Sequence, residues 1–452
     1  MTHTSDPVHA FLEAASVPRD ASHASGTLAL AESLLAAHPE VAGSSIYTAA
    51  VLGDDVGIRR FLAGDPSLAV QQGGPYDWAP LTYLCFSRYL KFDRTRSDGF
   101  VRAATALLDA GADPNSGWFG ADHQPAPTLE SVLYGAAGIA HHGPLTRLLI
   151  ERGADPNDDE TPYHTPESYD NDALKALVES GKVTEDNLVM MLIRKHDWHD
   201  LDGAAYLLAH GADPNHQRRW GFTPLHHAIA RDNRIEIITL LLDHGADPLR
   251  AQDGRNAVAM AAWRGRGDIL TLFRSRGMTL ALDGVDRLVA ACALDDGAAI
   301  DEIRVSDPHL VTDLLSRDGQ VLAEFAGNGN TAGVRRLLEL GLNPGSVFEA
   351  GDGYWEVEPR STALHVAAWR ARPEVVALLI ARGAPVDTRD GAGRTPLALA
   401  VRACVDSWWR ERRTSESVSA LLAAGASVDG VQYPSGYDAV DQVLRDHGAK
   451  PA

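Results

Sequence analysis

Apolar residues recur along this chain at helical spacing, in runs that come in pairs. Leu225, Ala228 and Ile229 fall at i, i+3 and i+4 and make one stripe of a helix. Ile237, Ile238, Leu241 and Leu242 make the stripe of a second, and Asp232-Asn233 between them predicts a tight turn and an antiparallel pair. Thr223 stands where it can cap the first helix, with Pro224 at its first position, where a missing N–H does no harm. Gly245 closes the second helix, and a left-handed residue is expected there and at the equivalent Gly383, because only a residue without Cβ adopts that conformation freely. Leu241, in the middle of its stripe, is expected to be buried.

The same phrases return. Thr223-Pro-Leu-His-His-Ala-Ile-Ala-Arg231, Thr362-Ala-Leu-His-Val-Ala-Ala-Trp-Arg370 and Thr395-Pro-Leu-Ala-Leu-Ala-Val-Arg-Ala403 superimpose without gaps. A second phrase, Leu-Leu followed by Gly-Ala, answers them at Gly111, Gly153, Gly211, Gly245, Gly383 and Gly425, four times continuing into Asp-Pro. Glycines at this position lie 34 residues apart between 211 and 245, 32 between 245 and 277, and 64, two periods, between 277 and 341. A helix pair of this size cannot bury its own apolar face, so neighbouring pairs must stack. The period and the T-P-L-H-x-A opening resemble the ankyrin-repeat family from about Ser45 to Ala449.

The fold class expected is therefore all-α, an ankyrin-repeat solenoid of about eleven helix-turn-helix units with short finger turns. Units begin near Ser45, Ala79, Thr128, Thr161, Glu185, Thr223, Asn256, Asp286, Asp318, Thr362 and Thr395, with a half-unit at Ser435. Pro166 predicts an early stop to the first helix of the Thr161 unit. Residues 1–44 do not match the repeat and are read as an N-terminal helical cap, residues 45–452 as the array. Insertions fall near 87–99, 118–127, 196–202, 352–360 and 404–414; they lengthen fingers or separate the helices of a unit, and are rich in Trp, Tyr and Arg.

Function is implied by the resemblance, since ankyrin arrays generally act as protein-interaction scaffolds. The expectation is a protein or peptide bound in a concave groove. Superposition puts Arg231, Arg264 and Arg370 at one position of the unit, Trp263 and Trp369 at the one before, and Arg266 and Arg372 two further on. With Trp408, Trp409 and Arg410 these form the candidate partner-binding set, facing an acidic or aromatic segment, because Trp and Arg dominate interface hot spots. The alternative use of the same residues is seam packing and complementing of helix C-termini.

Composition narrows the rest. A net charge of −20 disfavours nucleic acid, and no run of 18 uncharged apolar residues predicts a membrane span. Three isolated cysteines, Cys85, Cys292 and Cys404, support neither a disulfide framework nor a zinc site. A soluble, cytoplasmic monomer without cofactor or metal is expected. His196-Asp197-Trp198-His199-Asp200 is a local histidine cluster lacking further ligands, and Gly327-Asn-Gly-Asn-Thr-Ala-Gly333 lies between two helices with no preceding strand, so it is no phosphate loop. The resemblance implies a structural hydrogen-bonding role for His226 and His365. No hydrolase, zinc-protease or P-loop motif occurs, so an enzyme is not expected. A small-molecule or enzymatic site on the degenerate repeats of residues 118–202 is the alternative.

Overall fold

The computed structural model describes residues 6–17, 26–120, 126–217, 222–252 and 254–450. The chain forms two compact units, residues 1–247 and 248–452. Each is a run of short antiparallel helix pairs in which first helices pack on first helices and second on second. No helix among the described residues is long and apolar enough to cross a membrane.

The pair Pro224–Ala230 and Ile235–Asp243 shows why the sequence folds this way. Thr223 is extended and accepts the His226 N–H with its hydroxyl, as a cap should. Leu225, Ala228, Ile229, Ile237, Ile238 and Leu241 are all fully buried. Gly245 has φ 87° and Gly383 φ 84°, the left-handed geometry that ends the second helix. His226 Nδ1 lies 2.7 Å from its own Thr223 hydroxyl. His365 accepts from Thr362 N at 3.1 Å and donates to Arg394 O, 3.1 Å away in the next finger. Both motif histidines are thus hydrogen-bonded within the repeat.

In the first unit, a helix Pro7–Ala15 precedes Ala29–Ala37 and packs against it. The paired helices then follow from Ile46–Leu52 to Ile235–Asp243. Pro166 has the predicted effect: the first helix of its unit is only Thr161–His164, and a second, Asp172–Glu179, follows after a turn. The unit placed at Thr128 begins instead at Val132, capped by Ser131, because Thr128–Ser131 pairs as a strand with Gly117–Gly120. The insertion near 118–127 is therefore a β-hairpin, of which residues 121–125 lie outside the described residues. Residues 196–202 are no inserted loop, since helix Glu185–Asp197 simply runs longer and Leu201–Ala209 follows at once.

The second unit runs from Ala257–Trp263 to Asp438–Asp446. Residues 284–315 form three helices, Gly284–Ala293, Gly297–Ser306 and His309–Leu315. The glycine-rich run at 327–333 is a helix-to-helix turn, in which left-handed Gly329 ends Asp318–Asn328 and Asn330 caps Thr331–Glu339.

The asparagine of each Asp-Pro-Asn run ties its finger to the next. Asn115 donates to Gly153 O and accepts from Asp155 N; Asn157 does the same with Lys182 and Thr184, and Asn215 with Gly245 and Asp247, all at 2.7–3.0 Å. Asn215→Ala removes both bonds and should cost about 1–2 kcal/mol of the first unit's stability. Leu241→Ala should cost about 2–5 kcal/mol through lost burial and a cavity. Gly245→Ala meets no atom within 4 Å, so only backbone strain opposes it, at about 1–2 kcal/mol. Urea unfolding of the three variants checks the order, Leu241→Ala being the most destabilised.

Candidate partner-binding surfaces

The predicted Trp and Arg residues of the second unit come together largely as packing. Trp369, at the end of Ala363–Trp369, is buried and donates its indole N–H to Trp355 O at 2.6 Å. The buried Arg370 guanidinium lies 3.8 Å from the Trp355 ring centre and 5.8 Å from that of Trp409. The finger over residues 352–357 folds back to supply Tyr354 and Trp355, and residues 407–413 supply Trp408 and Trp409. Trp263 is buried too, donating to Asp286 at 2.6 Å with Arg255 and Arg317 over its ring.

The remaining cations of the register are held as well. Arg264 pairs with Glu324 at 3.3 Å and Asp352 at 3.9 Å, buried Arg266 forks onto Asp268, and Arg372 donates to Gly327 O at 2.9 Å. In the first unit Arg231 donates to Asp197 at 2.7 Å. A guanidinium at a packed helix end must find an acceptor or leave a buried charge unpaired. The expected row of cations open to an acidic ligand is thus already satisfied within the chain, and Trp263, Trp369 and Trp409 pack as seam residues. Trp408, 64% exposed, and exposed Arg410 are the members of the set that face solvent. A recess beside Trp355 and Arg370, lined also by Phe348, Glu324 and Asp352, measures about 20 Å³, room for one water.

The first unit carries a charge ladder that the sequence reading missed. Glu160, His164, Glu167, Arg194, Asp197 and Arg231 form consecutive ion pairs across Thr161–His164, Glu185–Asp197 and the end of Pro224–Ala230. Burial alone would lower the His164 pKa, but hydrogen bonds and charge from Glu160 and Glu167 outweigh it and lift it to about 9. Burial pushes Asp197 upward, yet His227, Arg194 and Arg231 hold it well below the usual carboxylate range. His196 is fully buried, with neither ring nitrogen hydrogen-bonded among the described residues, and burial brings its pKa down to about 3. Among the described residues of 118–202, His164 converges on Glu160 and Glu167, whereas His142 lies 2.7 Å from the Ser97 hydroxyl. No group of three or more His, Cys, Asp or Glu side chains among the described residues is arranged to hold a metal.

Beside the ladder runs a row of aromatic rings. Tyr47 and Tyr83 are 5.6 Å apart, Trp78 lies 4.7 Å from Tyr76 and 5.7 Å from Trp118, Phe86 links Trp118 to Tyr134, and His164 links Tyr134 to Tyr163. The sequence signal for it was the aromatic finger Gly73-Gly-Pro-Tyr-Asp-Trp78, a counterpart of Asp352-Gly-Tyr-Trp-Glu-Val357 with the same closing backbone bridge.

Helix pairs capped by Thr-Pro, ended by left-handed glycine and stacked through fingers now meet an independent match. A family model described as Ankyrin repeats (3 copies) matches residues 190–281, and one described as Ankyrin repeat matches 360–391. The chain carries ankyrin repeats over these residues.

Similar ankyrin segments occur in larger proteins. Potassium channel AKT1 of Oryza sativa subsp. indica is 43% identical over 72 residues, 16% of this chain and 8% of the channel. The 2-5A-dependent ribonuclease of Mus musculus is 38% identical over 93 residues, 20% of this chain and 12% of that enzyme. This chain therefore spans about a tenth of those relatives' length. The human ASB11 ankyrin repeat domain aligns with 58% of this chain and 99% of its own at 19% identity and a TM-score of 0.26. Ankyrin repeats are in general protein-interaction modules.

The histidines fix a pH dependence. His141 and His142 have pKa values of about 4, burial being the main cause, and His196 of about 3, against 6.5. Their contribution is present above pH 6.5 and is lost as pH falls toward 4 and 3, because the unfolded chain takes the protons first. His164 contributes oppositely: its share is full below pH 6.5 and is lost as pH rises through about 9. Melting temperature should peak near pH 6–7 and fall on both sides, and His164→Gln should flatten the alkaline limb alone.

Proposed function

We propose that this ankyrin-repeat chain works by binding rather than by catalysis, holding a segment of a partner polypeptide on the surface made by its first helices and fingers. The observation that carries this is Trp408. A large indole left 64% exposed, edge-on to half-buried Tyr354 at 6.1 Å, stands on the buried Trp355, Trp369 and Trp409. An exposed aromatic on a rigid foundation offers contact area at little entropic cost, which is how interface hot spots are built. Exposed Arg410 adds a cation whose guanidinium has no ion pair among the described residues.

The reading of an enzymatic or small-molecule site at residues 118–202 gains less support. Among the described residues His164 directs both ring nitrogens to Glu160 and Glu167, which makes it part of a packed ion-pair network rather than a poised acid or base. A reducing, cytoplasmic setting suits three buried free thiols.

Affinity capture with the intact chain and with Trp408→Ala tests the proposal. Removing this exposed ring should leave the melting temperature nearly unchanged and abolish most capture. Trp369→Ala, by contrast, should cost about 3–5 kcal/mol of stability. Undiminished capture by Trp408→Ala would count against the proposal.

A further inference from the structure

We infer that the turn carrying Trp408 takes an acidic polypeptide segment, in which an apolar side chain meets the exposed indole and a neighbouring Asp or Glu carboxylate meets Arg410. This rests on the interaction-module reading above and names the chemistry of the partner that Trp408 holds.

The open groups of this turn are donors. Trp408 is exposed, its neighbours Tyr354 and Trp409 stand at 70° and 65° to its plane rather than flat upon it, and no cation covers it among the described residues. Its indole N–H has no acceptor among the described residues either. Two residues on, exposed Arg410 opens the short turn Arg410–Arg412 with a guanidinium that makes no hydrogen bond or ion pair among the described residues. Two residues of chain span at most about 7 Å, so one short segment can meet both side chains. Val405, exposed at the end of helix Pro396–Val405, adds to the apolar surface. Indole and guanidinium N–H groups only donate, so what completes both is an acceptor, and beside a fixed positive charge a carboxylate is the strongest one.

The carboxylates of the same turn and finger are already paired. Arg264 lies 3.9 Å from Asp352, Arg402 lies 3.7 Å from Asp406 and also pairs with Glu356, and Arg412 lies 3.3 Å from Glu411. These are the acidic residues of 352–357 and 406–413. Half-buried Arg413 donates to Ser407 O at 2.8 Å and has no carboxylate partner among the described residues, which leaves a second uncompensated positive charge in the turn. A basic segment would meet that charge and find no free carboxylate. The chain's net charge of −20 does not reverse the balance. At physiological salt charge is screened beyond about 8 Å, so the groups within that reach decide.

The test uses the full chain and fluorescent synthetic peptides read by anisotropy, in which Phe is flanked by Glu, Phe by Lys, or Gly by Glu. The Glu–Phe peptide should bind roughly 10-fold more tightly than either of the others. Trp408→Ala should weaken its binding roughly 10-fold and Arg410→Gln roughly 3–5-fold. Arg410→Lys keeps the charge and should retain most of the affinity. Arg304→Gln removes an equal charge from the exposed side of helix Gly297–Ser306 and should change nothing.

Tighter binding of the Lys–Phe peptide overturns the inference, as does absence of Glu–Phe binding. So does Glu–Phe binding that survives Trp408→Ala, or that falls equally with Arg410→Gln and Arg304→Gln, which would be diffuse attraction to positive charge. Any of these leaves the capture comparison of the intact chain with Trp408→Ala, and with it the interaction reading, standing. Circular dichroism of each variant confirms folding, and Arg410→Gln, at an exposed position, carries the test if Trp408→Ala loses structure.

Discussion

An asparagine side chain that reaches from one finger to the next sets the geometry on which the first unit depends. Asn115, Asn157 and Asn215 each donate to a carbonyl and accept from an N–H of the following finger. A carboxamide is uncharged and carries its donor and its acceptor on separate atoms, so it can do both at once. Apolar helix faces alone fix burial but not register, because hydrophobic contact has no direction. The asparagine bonds supply that register, and the Asp before each one, accepting its backbone N–H, holds the turn that aims it.

Fixed register turns single residues into rows. Once first helices stack in step, residues at equivalent positions become neighbours, and their chemistry adds up or cancels. Along Thr161–His164, Glu185–Asp197 and Pro224–Ala230 the row alternates in sign, and each charge is met by its neighbours. In the second unit the row is Trp and Arg, and stacking of Arg370 on Trp355 and of Arg402 on Trp369 closes it. Arg402 in turn is held by Glu356, which sits at the left-handed φ of 53° in the finger.

Local signals in the sequence were legible where one or two residues decide the outcome. Thr223 capping, left-handed Gly245 and Gly383, the stop at Pro166 and the burial of Leu241 are of this kind. Pairing between distant residues was not: Thr128 looks like a unit start until Gly117–Gly120 is seen to pair with it. The Trp369–Arg370 register was found correctly as a register, yet its surroundings depend on the finger over 352–357 folding back across it. Insertion length does not encode insertion direction. The ring row from Tyr47 to Tyr163 gathers residues from four different repeats, so no window of sequence displays it.

Comparing the two rows shows where chemistry is left over. A charged row in a packed solenoid must balance itself, since each unpaired buried charge costs several kcal/mol. What balances itself has little left to offer a partner, which is why the predicted cations do not make a site. Aromatic rings obey a weaker rule. A phenol or indole face is content against carbon and also attracts a cation, so it can be buried on one side and usable on the other without penalty. Repeats that stack rings in register therefore take up cations wherever an arginine reaches a ring face, as Arg194 does over Tyr163 and Arg370 over Trp355.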